Sequence, residues 1–181
     1  MTIKIQRFIN FIMVILAWFT LPFLGMKTIK KFFPAAFLIF LIELLTTIVG
    51  KRRKWWVFYN KPNSILFGEF PFIIGPFLAS SLWILKWTYG NLKMFFLINA
   101  SFGAFFTFLF ARFAKKVKYW RLVRFNGFQF FLYYFFKAFL LYGFQYYFEL
   151  KKINLINNKL DNKYTVKVYR SWLITIFTES S

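Results

Sequence analysis

Five mostly apolar stretches constrain the fold of this sequence more than any other feature. A helix rises 1.5 Å per residue, so about 20 apolar residues cross the roughly 30 Å hydrocarbon layer of a bilayer. The sequence therefore predicts an all-α integral membrane helical bundle of about five transmembrane helices. The predicted helices lie near residues 8–26, 32–50, 65–85, 92–111 and 125–148.

The last part of the chain, residues 150–181, is rich in Asn and Lys and is too polar to cross a membrane. Residues 164–170 alternate in a strand-like way, and residues 172–177 form an apolar patch that is too short to span. We expect a basic, partly disordered tail whose patch rests on the membrane surface. Since we find no internal repeat, we interpret residues 1–149 as one transmembrane domain followed by this tail.

The charge balance predicts an anionic partner, because 25 Lys and Arg stand against 5 Asp and Glu. The basic residues lie in short runs between the apolar stretches, which is typical of juxtamembrane anchors. This position favours anionic phospholipids over nucleic acid, for which no basic stripe is present. The predicted lipid-headgroup-binding residues are Lys51, Arg52, Arg53, Lys54, Lys115, Lys116, Lys118, Arg121 and Arg124.

Loop charge also predicts orientation, because basic residues resist translocation. Residues 51–61 carry five Lys and Arg, residues 112–124 carry six, and Lys4 and Arg7 precede the first helix. We therefore expect the N-terminus and the loops 51–64 and 112–124 to be cytoplasmic in a multi-pass plasma-membrane protein. Aromatic rings near helix ends are expected to anchor at the headgroups. These are Trp18, Trp55, Trp56, Trp83, Trp87, Trp120, Tyr59, Tyr89 and Tyr119.

The chain has no Cys and no His, which excludes disulfides, thiolate metal sites, cysteine nucleophiles and histidine bases. Its one Asp is Asp161 in the tail, so no pair of membrane aspartates exists either. We expect no enzymatic activity, no metal and no cofactor. A lipid-modifying enzyme remains an alternative, although these missing residue types count against it.

Charged side chains at membrane depth are costly and usually face protein or water, which singles out Glu43, Glu69 and Lys137. Counting residues from the basic helix ends places Glu43 about 10 Å and Lys137 about 18 Å from the same boundary. A lysine reaches roughly 6 Å, so a pair between them is geometrically open. Asn99 lies at a depth similar to Lys137 and is a candidate hydrogen-bond partner. These four residues form the candidate intramembrane polar site.

Two functions compete for this site, and the sequence favours the non-enzymatic structural or accessory one. A buried ion pair can simply fix the packing of two helices in a structural or accessory protein, which would associate with itself or with another membrane subunit. Alternatively, Glu43, Glu69 and Lys137 form a proton or ion relay in a small carrier or channel. A water-lined cavity that reaches Glu43 or Glu69 favours the carrier, whereas dry packing around them favours the structural function.

Small residues predict where helices touch, because backbones approach closely only without bulky side chains. The fourth stretch spaces Asn99, Gly103 and Thr107 four apart, and the third contains Gly75 and Ala79. We expect these two faces to pack on each other.

A set of residues spread along the apolar stretches carries a resemblance to a known group of proteins: Trp55, Glu69, Pro71, Gly75 and Pro76, then Lys86 to Gly90 and Leu140 to Gln145. In these residues the sequence resembles small uncharacterised multi-pass membrane proteins of Bacillus-type bacteria. The resemblance covers most of the chain except the tail. It implies a plasma-membrane location in a Gram-positive cell, and that group offers no established activity to carry over.

Overall fold

The structure is a computed structural model that describes the backbone of residues 2–59 and 68–179 and side chains as far as residue 159. Five helices make up almost all of it, which confirms the predicted all-α class. They are α1 (Ile3–Leu24), α2 (Met26–Arg52), α3 (Phe70–Thr88), α4 (Leu92–Lys116) and α5 (Gly127–Glu179). The first four are long and apolar enough to cross a membrane.

Two helical hairpins, α1 with α2 and α3 with α4, are each joined by a tight turn at a glycine. Gly25 and Gly90 adopt φ values of 80° and 98°, a region that side chains with a Cβ rarely enter. The turn after Gly90 also caps the next helix, because the Asn91 side chain accepts a hydrogen bond of 3.0 Å from the Met94 amide. These turns fold each apolar pair of helices back on itself.

A small antiparallel sheet joins the two hairpins at their other ends. Strand β1 (Trp56–Phe58) follows α2, and strand β2 (Trp120–Leu122) follows α4. Val57 pairs with Arg121 at the centre of the register. The two basic loops therefore lie on the same side of the helices, as the charge pattern predicts.

The two hairpins end in matching turns, and we describe them as the two halves of a structural repeat that the sequence did not predict. After α2 the chain passes through Lys54 with φ 52°, and after α4 it passes through Lys118 with φ 54°. These lysines and the strands that follow them lie 64 positions apart. The turns also share their hydrogen bonds, since the amide after each lysine donates to the carbonyl five residues back, that of Gly50 or Ala114.

The sheet register has the symmetry of this repeat. Val57 and Arg121 occupy equivalent positions in the two halves and pair with each other, while Trp56 pairs with Leu122 and Phe58 with Trp120. Exchanging the halves leaves this pairing unchanged, which is the property of a pseudo-two-fold axis through the central pair. Sequence identity hides the relation, because the helices share few residues and only the Lys-rich turns with Trp56 and Trp120 resemble each other.

Burial along α1 is reversed relative to a helix of a water-soluble protein. In α1 the buried residues are Gln6 and Asn10, whereas Phe8 and Phe19 are 65% and 70% exposed. Large exposed apolar surfaces are rare in water-soluble proteins. An apolar outside with polar groups inside is what a lipid environment stabilises.

α5 begins with a reciprocal cap and runs further than predicted. The Gln129 amide donates to Asn126 Oδ1 at 2.8 Å, and the Asn126 amide donates to Gln129 Oε1 at 3.1 Å. The helix extends through residues 150–179, where we expected partial disorder and a strand-like segment. Residues 1–145 and 146–181 form two compact units. The side chains of the predicted apolar patch at 172–177 lie outside the described residues.

The predicted contact between the small faces of α3 and α4 is wrong in detail. A Cβ on Gly75 would lie 3.0 Å from the Cα of Val14, so Gly75 packs against α1. A Cβ on Gly103 would lie 3.5 Å from the ring of Phe131, so Gly103 faces α5. The small residues do mark close packing, but the partners are different helices.

Candidate functional site

The predicted pair of Glu43 and Lys137 is present and joins α2 to α5. Lys137 Nζ donates to Glu43 Oε2, and both side chains are almost fully buried. Lys137 also donates to Thr46 Oγ1 at 3.1 Å, and the Tyr133 hydroxyl lies 2.9 Å from the same oxygen. Tyr133 further donates to Glu43 Oε2 at 3.4 Å. The pair therefore has the additional hydrogen bonds that a buried charge requires.

Asn99 is not the partner of Lys137 that we expected. Its side-chain nitrogen donates to the Phe95 carbonyl of its own helix at 2.8 Å. The sequence gave an estimated depth for Asn99 but no information on which way its amide points. Thr46 and Tyr133, which do contact Lys137, were missed, because a Thr or Tyr in an aromatic helix looks like ordinary packing.

Glu69 lies immediately before α3, whereas the sequence predicted it inside a helix near residues 65–85. Residues 65–67 lie outside the described residues, and the helix begins at Phe70. The Glu69 side chain is buried, and its Oε2 has no hydrogen-bond partner among the described residues. Burial raises the pKa of this carboxyl, while the Lys51 charge, its own backbone amide and the Trp56 indole act to lower it.

Glu43 and Glu69 reach the same cavity, which has a volume of about 60 Å³ and lies between the two halves of the repeat. The first half contributes Met13, Glu43 and Thr47, and the second contributes Glu69 and Ile73. Among the described residues, Gly68 and nine aromatic rings form the rest of the wall. These are Trp56, Phe58, Phe72, Phe106, Phe110, Tyr119, Trp120, Phe130 and Tyr134. A water needs roughly 10–15 Å³ on this measure, so several waters fit.

Three of these rings were expected to anchor at the lipid headgroups, and that prediction is wrong for them. Trp120 is buried and packs with Ala114 and Phe130, and Trp56 packs against the same cluster. The Tyr119 hydroxyl donates to Asn10 Oδ1 in α1, and burial raises the pKa of Tyr119 to about 12. A position near a helix end therefore does not distinguish an aromatic ring at the membrane interface from one that packs inside the protein.

A second cavity of about 250 Å³ lies on the other side of the pair, between α3, α4 and α5. Lys137, Asn99, Ser80 and Ser81 are its polar lining residues. Phe72, Phe106 and Tyr134 line both cavities, so these rings form the wall between them. Glu43 lines the first cavity and Lys137 lines the second. The ion pair therefore crosses the wall that these three rings form.

The predicted headgroup-binding residues lie in the last turns of α2 and α4 and in the segments that follow these helices. All of them are exposed except Lys51, which is half-buried. Arg121 stacks over the ring of Tyr59, with 5.7 Å between the guanidinium carbon and the ring centroid. These side chains form a basic collar around the end of the bundle at which Glu69 lies.

Within the described residues, no group of three or more acidic residues could hold a metal ion. Comparison of the chain with protein-family models, with curated proteins and with solved structures gives no match. The resemblance to Bacillus-type membrane proteins therefore stays a prediction.

Proposed function

We propose that this chain is a multi-pass protein of the plasma membrane of a Gram-positive cell, with its basic collar in the cytoplasm. Four helices of spanning length and the exposed apolar surface of α1 support membrane insertion. α5 would be the fifth span, although tyrosines, Gln129 and Lys137 make it less apolar than the others. The collar would bind anionic phospholipids, because exposed Lys and Arg near the bilayer are attracted to the negative inner leaflet.

Reporter fusions after Lys54 and after Lys118 should both report the cytoplasm, because β1 and β2 pair and carry the two most basic loops to one side. A fusion after Lys151 should report the outside if α5 spans. Opposite signals from the first two fusions would contradict both the sheet and the orientation. Cytoplasmic signals from all three would remove α5 from the spans while leaving the first four in place.

Within the membrane, the geometry best supports a small, non-enzymatic carrier of a proton or another small cation. One observation carries this proposal: Glu43 and Glu69 open on one cavity between two repeated halves. Transporters often bind their substrate at the interface between internal repeats, and intramembrane carboxylates commonly mark ion pathways. The cavity has room for several waters beside Glu43 and Glu69, which supports a carrier over dry structural packing.

In this carrier, the Glu43–Lys137 pair would break and re-form as the cation binds and leaves. A cation that enters the first cavity competes with Lys137 for the Glu43 carboxylate. Release of Lys137 would free its ammonium to face the second cavity, which it already lines. Phe72, Phe106 and Tyr134 would then act as the barrier between the two compartments, since all three rings line both.

Charge movement in proteoliposomes tests this proposal. Concentration jumps of protons, K⁺ and ethylammonium are applied in turn, and a current above that of protein-free vesicles is expected for at least one of them. Glu43→Gln and Glu69→Gln should each reduce this current to the protein-free level, because the neutral amide no longer attracts a cation. Glu149→Gln, the same change outside the cavity, should leave it intact. No current with any cation would contradict the carrier.

A structural or accessory function is the second candidate, with self-association or another membrane subunit as the partner. The observation that favours it is the hydrogen bonding of the pair, since Thr46 and Tyr133 satisfy it as a permanent helix contact would require. A protein that depends on the pair for stability and carries no current would fit this function.

A further inference from the structure

The cavity between the two halves contains a carboxylate whose charge no neighbouring group matches by direct contact. Glu69 is 8% exposed, and Oε2 is a buried acceptor without a donor among the described residues. An unsatisfied buried acceptor is costly, because folding removes its water without replacing the hydrogen bond. The missing partner is therefore a donor, and a ligand in the cavity is placed to supply it.

The charge in the cavity selects a cation. Glu43 is neutralised by Lys137, so Glu69 supplies the unmatched negative charge. Burial raises the pKa of Glu69 and the Lys51 charge offsets only part of that rise, so a cation bound beside the carboxyl would stabilise its ionised form. An anion would meet two carboxylates, and the lining residues that the structure describes include no Lys or Arg.

The walls select an organic cation over a hydrated metal ion. Aromatic faces attract cations through their quadrupoles and are the usual lining of sites for alkylated ammonium groups. Trp56 and Trp120, whose ring type gives the strongest such attraction, lie on opposite strands of the sheet and both line the cavity. A metal ion would need several oxygen ligands, and this wall offers mostly rings.

Size limits the ligand further. At roughly 10–15 Å³ for each water-sized position, 60 Å³ accommodates about four to six non-hydrogen atoms. This range includes ethylammonium and dimethylammonium with an accompanying water.

We propose that the cavity between the two halves binds a small alkylammonium cation, which donates an N–H to Glu69 Oε2 and packs its alkyl group against the aromatic walls. This inference rests on the proposed carrier and names its substrate class. The N–H distinguishes it from a quaternary ammonium, which could stack on the rings but could not satisfy the carboxylate.

Binding is tested on the full chain in detergent, by titrating ethylammonium and following tryptophan fluorescence and thermal stability. Saturable quenching and a raised melting temperature are expected, because a ligand of the native state alone stabilises it. Ethanol, which has the same size without the charge, should have no effect at the same concentration. Tetramethylammonium should bind about tenfold more weakly or worse, since it lacks the charge-assisted hydrogen bond.

Two variants make the assignment specific. Glu69→Gln keeps the shape of the side chain and should weaken ethylammonium about tenfold or more, because it removes the charged acceptor. Trp56→Leu should weaken it as well, while Trp87→Leu, at a ring that is 58% exposed, should not. Unchanged affinity in Glu69→Gln, or equal affinity for tetramethylammonium, would overturn the proposed site.

The outcomes separate this site from the carrier. Ethylammonium binding without any current in vesicles would retain the site and reject the carrier. A proton or K⁺ current without ethylammonium binding would retain the carrier and reject the substrate class.

Discussion

Removing either member of the Glu43–Lys137 pair should destabilise the protein by about 3–5 kcal/mol, although snorkelling of a long side chain in the membrane could reduce the loss. Glu43→Leu leaves the Lys137 ammonium buried with Thr46 as its remaining acceptor, and Lys137→Leu leaves a buried carboxylate. Each single variant should unfold at a clearly lower temperature in detergent. Lys151→Leu, at an exposed lysine of the same helix, is the matched control.

The double variant Glu43→Leu with Lys137→Leu should recover much of that loss. Replacing a whole buried ion pair by apolar residues is often neutral, since neither charge then remains unpaired. Tyr133 would still donate to Thr46, so its hydroxyl stays satisfied. Strictly additive losses across the four combinations would show that the two residues do not stabilise each other. Recovered stability without recovered current would favour the relay over a purely structural pair.

Gly75→Leu should cost about 1–3 kcal/mol, because a side chain at this position is forced into the backbone of α1. The first carbon alone would lie 3.0 Å from Val14 Cα and 3.3 Å from Val14 Cγ2. Neither helix can yield locally, since the obstacle is main chain rather than the end of a flexible side chain. Thermal unfolding in detergent measures the loss.

Gly143→Leu is the control for this change. Gly143 lies in α5, is exposed and would have no atom within 4 Å of an added Cβ. Its replacement should change stability by less than about 0.5 kcal/mol, or raise it slightly, because leucine favours helix more than glycine does. Equal losses at both glycines would indicate a general effect of helix glycines and remove the assigned α1 contact.

Residue spacing predicted the five apolar helices and left the Glu43–Lys137 contact geometrically open, but it did not predict the extension of α5 through residues 150–179. The length of each apolar stretch predicts a helix because the bilayer has a fixed thickness. A charged side chain inside such a helix is stabilised by few kinds of partner, of which an opposite charge is one. Depth along the axis could be counted, and both residues were placed within reach of each other. Direction around the axis could not, which is why Asn99 was assigned to Lys137 instead of to the Phe95 carbonyl.

The aromatic cavity and the repeat were beyond the sequence pattern for a different reason. Trp56, Tyr119 and Trp120 lie close to lysines in the sequence. An aromatic residue near lysines is expected at the lipid headgroups, but the same local sequence also occurs where the ring packs inside the protein. Their burial depends on the pairing of β1 with β2, a contact between distant parts of the chain. The repeat is carried by backbone conformation at Lys54 and Lys118, where lysine gives no signal of a positive φ.

The pairing of β1 with β2 also bears on how the chain reaches its final topology. Val57 is synthesised and presented at the membrane before α3 and α4 exist, so the first strand must wait for two further helices to insert. If one hairpin inserts with inverted topology, β1 and β2 end on opposite sides of the membrane and their hydrogen bonds cannot form. The sheet therefore stabilises only the topology in which both hairpins have inserted with the same orientation. Correct orientation of the second hairpin is thus a condition for closing the cavity.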